Sequence, residues 1–342
     1  MRRQSLYPLR FEPIFQHRIW GGRRLADWFA RPLPGDGPIG EAWVLSDRDD
    51  HPSRVAEGPL EGVSLPELMR NHGPHLLGPA ARHHRRFPLL LKFLDARETL
   101  SVQVHPSDHH AHLLPPGERG KTEAWVVLEA TPDSRVYVGL RPGTTRAELH
   151  RGLHQQRLEE HLHSFSPAVG DCIFLPAGVV HALGGGIVLF EIQQNSDVTF
   201  RLHDWNRRDP KTDRPRDLHI EQALACTNFT PPDHGLRSPC EEQGTPSRRE
   251  RLVSCDHFHV WRWQSQAPFM IGAREECRIV VCLAGSAQLV HEETEYAIRA
   301  GDVLLLPAEI GVCGCKPAQA LTLLECGLSD VVGNTKEAGE MG

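Results

Sequence analysis

No apolar run in this 342-residue chain is long enough to span a bilayer, so no membrane-spanning helix is expected. A basic excess is missing too. The 38 Lys and Arg against 44 Asp and Glu leave a net charge of −6, without the footprint of a nucleic-acid partner. Arg2 and Arg3 are followed by no apolar h-region, so no secretory signal is expected. The nine cysteines are odd in number and lack framework spacing, which fits a reducing cytosol rather than a disulfide scaffold. Cys313-Gly314-Cys315 is too tight for a zinc knuckle and reads as loop residues. Hydrolytic signatures are also absent: there is no nucleophile elbow and no His-Glu-x-x-His helix. With 39% hydrophobic and 24% charged residues, the composition is that of a soluble globular chain long enough for two domains.

Histidine is abundant, 21 in all, so a single one carries little weight and position has to decide. In Leu100-Ser101-Val102-Gln103-Val104-His105-Pro106, apolar and polar residues alternate with the period of a strand, and Pro106 ends it. Its polar face holds Ser101, Gln103 and His105. Lys121–Leu128 reads as a second strand with Lys121, Glu123 and Trp125 on one face. Gly170–Leu175 reads as a third, followed by a Pro/Gly turn and His181. Together they supply His105, Glu123 and His181, a donor set suited to Zn²⁺ with a position left open for water or substrate. Gln103 shares the face, either as a fourth, weaker oxygen ligand or as a hydrogen-bonding wall residue. Buried polar groups satisfying one another are the structural alternative. The His109, His110 and His112 cluster lacks a carboxylate partner and reads as a solvated face.

Two capping boxes predict helices: one from Ser64-Leu65-Pro66-Glu67 to a stop at Gly73-Pro74, one from Thr145 to about His163. Another short helix is expected over 217–226. Strands resume over 258–263, 277–283, 287–290, 302–306 and 321–326. Val169-Gly170-Asp171-Cys172-Ile173-Phe174-Leu175-Pro176-Ala177 is echoed by Ala300-Gly301-Asp302-Val303-Leu304-Leu305-Leu306-Pro307-Ala308, and Leu189-Phe190-Glu191-Ile192 by Leu323-Leu324-Glu325-Cys326. Where the first copy has His181, the second has Val312. Short strands, Gly/Pro turns and a repeat predict a mainly β chain of two cupin-type (jelly-roll) β-barrels with short helical inserts. The expected domains are a metal-binding cupin domain over 1–205, a connector over 206–250, a degenerate cupin domain over 251–330 and a tail over 331–342.

Other polar faces offer chemistry. Asp197, Thr199, Arg201 and His203 alternate with Val198, Phe200 and Leu202. An inward Arg201 needs an anionic ligand, or an ion pair with Asp197 or Glu191. Glu191 is a candidate proton carrier or a partner for a basic neighbour. Lys121 could hold a phosphate or an oxyanion, or stand in water at the strand's start. Lys92, alone in the apolar run 88–94, is either buried with a partner or reaching to solvent.

Phe87–Ala96 with Leu100–Pro106, Gly120-Lys121-Thr122-Glu123-Ala124-Trp125, Leu175–His181 and Glu191–Asp197 running on to Arg201 and Asp204-Trp205 resemble the type I mannose-6-phosphate isomerase family. Ile19-Trp20-Gly21-Gly22 and Ile39-Gly40-Glu41 resemble that family's N-terminal signatures. The likeness is dense from about 9 to 226. His203 departs from it, since relatives often carry tyrosine there. The resemblance implies a zinc-dependent interconversion of mannose 6-phosphate and fructose 6-phosphate in the cytoplasm, with a small phosphosugar as partner. It implies a metal on Gln103, His105, Glu123 and His181, catalytic roles for Arg201, Glu191 and Lys121, and substrate binding by Lys92, Ser101, Lys121 and Arg201. Isomerisation of an unphosphorylated sugar and a non-catalytic sugar-binding cupin remain as other readings. The sequence leaves the oligomeric state open.

Overall fold

Period-two alternation settles which face of each strand is dry, and the pairing register turns those faces into two sandwiches. A computed structural model describes residues 5–210, 212–230 and 235–329; the tail expected over 331–342 lies outside the described residues. The chain divides into two compact units.

The larger unit comprises the described parts of Phe11–Pro66 and Phe87–Ser238. One sheet runs in the order Leu236–Arg237, Cys172–Leu175, Glu123–Ala130, Ile187–Gln194, Leu89–Ala96, Ile14–Gly22 and Ile39–Leu45. The other runs Phe200–His203, Val102–Val104, His181–Leu183, Val136–Leu140 and Leu162–Phe165. Their inner faces meet: Leu94, Trp125, Val127, Ile173 and Leu189 pack against Val136, Val138 and Leu183. Behind the second sheet, Val102, Val104 and Leu202 pack with Leu149 and Leu158 of the helical insert and Leu224 of the helix Ile220–Cys226. Behind the first, Phe93 meets Phe190 edge-on at 5.3 Å and Phe29 of the helix Leu25–Phe29 at 5.3 Å. The expected mainly β architecture is present. Neither sheet closes on itself through hydrogen bonds; the two face each other as open sheets. Close approach sets the Gly184 position, because a Cβ there would lie 2.1 Å from the Arg135 carbonyl oxygen.

The expected capping box at Thr145 is made, with its Oγ1 accepting from the Glu148 N–H at 3.2 Å. The helix it starts ends at His154, short of the expected His163, as Gln156 takes a left-handed φ of 56°. Leu158–His161 adds one 3₁₀ turn. The stop expected at Gly73-Pro74 does not occur. The helix runs over Leu65–Leu77, because buried Leu76 and Leu77 hold its last turn, and the His75 and Leu76 carbonyls accept from Glu309 and Ala308.

The smaller unit comprises the described parts of Met1–Arg10, Glu67–Arg86 and Pro239–Gly342. It too has two sheets, with Trp263, Val280, Cys282, Leu304 and Leu323 packed against Ile271, Leu289, Ile298, Cys313 and Cys315. The sequence echo is an echo in space. Asp171 Oδ2 accepts from Ala168 N at 2.8 Å and Asp302 Oδ2 from Arg299 N at 2.9 Å, while Gly170 and Gly301 both take φ 90°. Glu191 and Glu325 each accept from a tryptophan Nε1, at 2.8 Å from Trp125 and 2.7 Å from Trp263, although the two tryptophans come from strands on opposite sides of the glutamate's strand. Two residues on, the copies part: Gln193 pairs with Glu123, whereas Gly327 pairs with Arg278. A guanidinium therefore takes the place of the carboxylate. Among the described residues, His105, Glu123 and His181 form the one group of three or more His, Cys, Asp and Glu side chains placed to hold a metal together.

Phe190→Ala empties a fully buried ring site between Phe93 and its neighbours. It should destabilise the protein by about 3–5 kcal/mol, measured as a lower denaturation midpoint in urea.

Candidate metal centre and active site

Cross-strand register brings the site together. Val102–Val104 pairs Gln103 with both His181 and Arg201, so these three side chains share the inner face of the five-stranded sheet. Across the interior, Glu191 lies between Lys92 and Trp125 on neighbouring strands, and Lys92 is opposite Trp43. Glu123 is one pleat along from Trp125.

His105 Nδ1 lies 2.9 Å from the Val198 carbonyl, and His181 Nδ1 lies 2.9 Å from that of Val179. A carbonyl accepts only, so each Nδ1 carries the proton and each Nε2 presents a lone pair. Those lone pairs face Glu123: His181 Nε2 is 3.2 Å from Oε1 and His105 Nε2 is 3.6 Å from Oε2. His105 Nε2 and Glu123 Oε1 are buried without a hydrogen-bond partner, and Glu123 Oε2 has only the Lys121 ammonium. Three electron-pair donors thus converge with no proton among them, and a cation satisfies all three. Two imidazoles and a carboxylate are a donor set that zinc accepts. The residues fit a metal.

Gln103 sits beside this group with a qualification. Its Nε2 is 3.3 Å from His181 Nε2, and its Oε1 takes the Ser101 hydroxyl at 3.4 Å. In this orientation the amide donates to a ring nitrogen; ligating a metal requires the amide turned over, with the oxygen inward.

Lys121 Nζ is 3.2 Å from Glu123 Oε2. The lysine is buried, not solvated at the strand's start. Burial opposes its charge, but Glu123 and Glu191 outweigh that and raise its pKa. Glu123 is likewise penalised by burial, yet Lys121, His105 and His181 hold its carboxyl well below the usual range. Burial, with Lys121 and His181, pushes the His105 imidazole well below its ordinary value, against the pull of Glu123. Glu191 moves the other way: burial and the charge of Glu123 raise its carboxyl, despite Lys92 and Lys121.

Lys92 is buried with partners. Its Nζ is 3.4 Å from Glu191, 3.7 Å from Asp197 and 5.0 Å from the Trp43 ring centre. Behind it stands a pair that sequence reading missed. Arg18 bonds Glu41 at 3.0 and 3.2 Å, and Trp43 Nε1 donates to Glu41 at 2.7 Å. Burial would raise the Glu41 carboxyl, but Lys92 and Arg18 bring it down to about 2. No local signal joins Arg18, Glu41 and Lys92; only the register of three strands does.

Arg201 makes neither ion pair that the sequence suggested. Asp197 and Glu191 both go to Lys92, while Arg201 donates to the Asp217 carbonyl at 2.8 Å and keeps a buried, unpartnered Nε. Burial and the neighbouring Arg216 lower its pKa. Arg207 and Arg216 both bind Asp204, so three guanidiniums gather around one carboxylate. Arg207 also donates to the Thr99 carbonyl, and Trp205 Nε1 to that of Leu100, tying this cluster to the strand that carries Ser101. Ser101 itself is buried. His203 is half-buried, edge-on to Trp205 at 5.4 Å.

Known proteins resemble this chain in sequence and fold. The family model for the phosphomannose isomerase type I catalytic domain matches residues 9–125, and that for the mannose-6-phosphate isomerase cupin domain matches 248–314. The chain is 34% identical over 306 residues to mannose-6-phosphate isomerase ManA of Bacillus subtilis, covering 89% of this chain and 94% of that protein. It is also 34% identical over 303 residues to the mannose-6-phosphate isomerase of Streptococcus mutans, covering 89% and 93%. A crystal structure of mannose 6-phosphate isomerase from Bacillus subtilis superposes with a TM-score of 0.86 at 31% identity, covering 93% of this chain and 99% of that one. Sequence likeness along nearly the whole length and a shared fold agree: the chain belongs to the type I mannose-6-phosphate isomerase family.

Proposed function

We propose that the chain is a zinc-dependent aldose–ketose isomerase that interconverts mannose 6-phosphate and fructose 6-phosphate through an enediol. The observation that carries this reading is the convergence of His105, Glu123 and His181, three buried donors without a proton between them, in a chain of this family. His105, Glu123 and His181 would hold the ion, with Gln103 as a fourth ligand once its amide is turned. When bound there, zinc supplies Lewis-acid polarisation of the sugar oxygens at C1 and C2.

The conversion takes a proton from one of these carbons and returns it to the other. Glu191 is assigned that task. Its carboxyl is raised toward the range where a proton can be both taken and given, and Trp125 Nε1 fixes its Oε1 at 2.8 Å. Lys121, a buried ammonium, is placed to offset negative charge on the substrate oxygens. Arg201 is assigned to the substrate's anionic end. Its unpartnered Nε, with Arg207 and Arg216 against the single Asp204, leaves a surplus of positive charge that suits a phosphate. Lys92 and Ser101 complete the substrate-binding set, with Glu41 and Asp197 keeping the Lys92 ammonium in place. All nine cysteines are free, which supports a reducing, cytoplasmic setting.

The deciding measurement is a coupled assay of metal-free protein on mannose 6-phosphate and on free mannose, with and without Zn²⁺. Zinc-restored turnover of the phosphosugar alone is expected. Equal turnover of free mannose would move the substrate to unphosphorylated sugars, and metal binding without turnover of either would leave a binding protein. His181→Ala should lose its metal on dialysis, with turnover falling in proportion to metal content. Glu191→Gln should retain the metal while kcat falls about 10²–10⁴-fold; a kcat near the parent's would remove Glu191 from the proton's path.

A further inference from the structure

A second pair of imidazoles lies outside the buried centre. On the helix Arg146–His154, His150 and His154 are four residues apart and therefore share one face. Their rings meet edge-on with centres 4.5 Å apart, and their Nε2 atoms are 3.3 Å apart. Both are accessible, His150 partly and His154 fully. Neither Nε2 has another hydrogen-bond partner among the described residues. The one carboxylate within the helix, Glu148, is taken by Thr145 through bonds of 2.7 and 2.8 Å.

We propose that His150 and His154 form a surface chelate for a divalent transition ion, with Zn²⁺ as the ion the geometry suits. Two nitrogens 3.3 Å apart, each bonded to zinc at about 2.0–2.1 Å, subtend roughly 105–110° at the ion, close to the tetrahedral angle. Histidines at this spacing on one helix face also supply two zinc ligands in the His-Glu-x-x-His motif. One ring now donates an Nε2 proton to the other; moving that proton to its Nδ1 frees both lone pairs without releasing a proton. Water fills the remaining positions, since among the described residues no third protein ligand accompanies the pair. The site is therefore weaker and faster to exchange than the buried one. It links two turns of a nine-residue helix, and an ion that binds only the folded helix stabilises it. This inference does not rest on the proposed reaction.

The test is a Zn²⁺ titration by calorimetry of protein whose buried centre has been filled and dialysed, its ion content fixed beforehand by metal analysis. One further, weaker site per chain is expected. His154→Ala and His150→Ala each keep helix propensity and should weaken that site at least tenfold, with the buried ion and basal turnover unchanged. Cobalt(II) offers an independent readout, since a tetrahedral environment intensifies its visible absorption and both variants should lose that band. The proposal is overturned if no second ion binds the parent, or if it binds both variants as tightly as the parent.

Discussion

Charges inside a dry sandwich have to alternate in sign, because each one's desolvation is offset only by an opposite neighbour. The inner face of the seven-stranded sheet follows this rule over a long path. Arg18 faces Glu41, Glu41 faces Lys92, Lys92 faces Glu191, and Lys121 faces Glu123. The sequence of signs then stops. Glu123 meets two imidazole lone pairs, which add electron density where the pattern calls for positive charge. A bound cation would complete the alternation, so the same electrostatics that permits the lysines to be buried favours a metal at this end.

Backbone carbonyls prepare that end of the path. Val179 and Val198 fix the two Nδ1 protons, and so set the direction of both Nε2 lone pairs. The amide of Gln103 has no such constraint on its inward atom. It alone of the four expected ligands has two orientations of similar shape and opposite polarity, and the donor-inward one occupies a ring nitrogen that a metal would use.

His105 and Glu123 were legible in the sequence because each stands at a strand end with an alternating pattern, and alternation predicts direction, while His181 was legible from its place just past a strand and a Pro/Gly turn. Lys92 was not, since its pattern fits a buried and a solvated lysine equally well. Its ion-pair partners, Glu191 on a strand and Asp197 in the loop after it, lie about a hundred residues away. The Arg18–Glu41 pair was hidden for the same reason: register is a long-range property that local spacing does not encode. The Pro74 stop failed in the opposite sense. A sound local rule was overridden by the packing of Leu76 and Leu77. Arg201 shows a third limit, because sequence reading sought a carboxylate and the guanidinium found the Asp217 carbonyl.

The two sandwiches answer one electrostatic demand with different kinds of charge. In the smaller unit Arg278 holds the register position of Glu123, 3.5 Å from Glu325, the counterpart of Glu191. That positive charge is covalently attached; it cannot be chelated, exchanged or diluted away. The His105, Glu123 and His181 set of the larger unit could take its positive charge from an exchangeable ion instead. Of two sandwiches built to the same plan, the one with this donor set is then the one that can be filled and emptied.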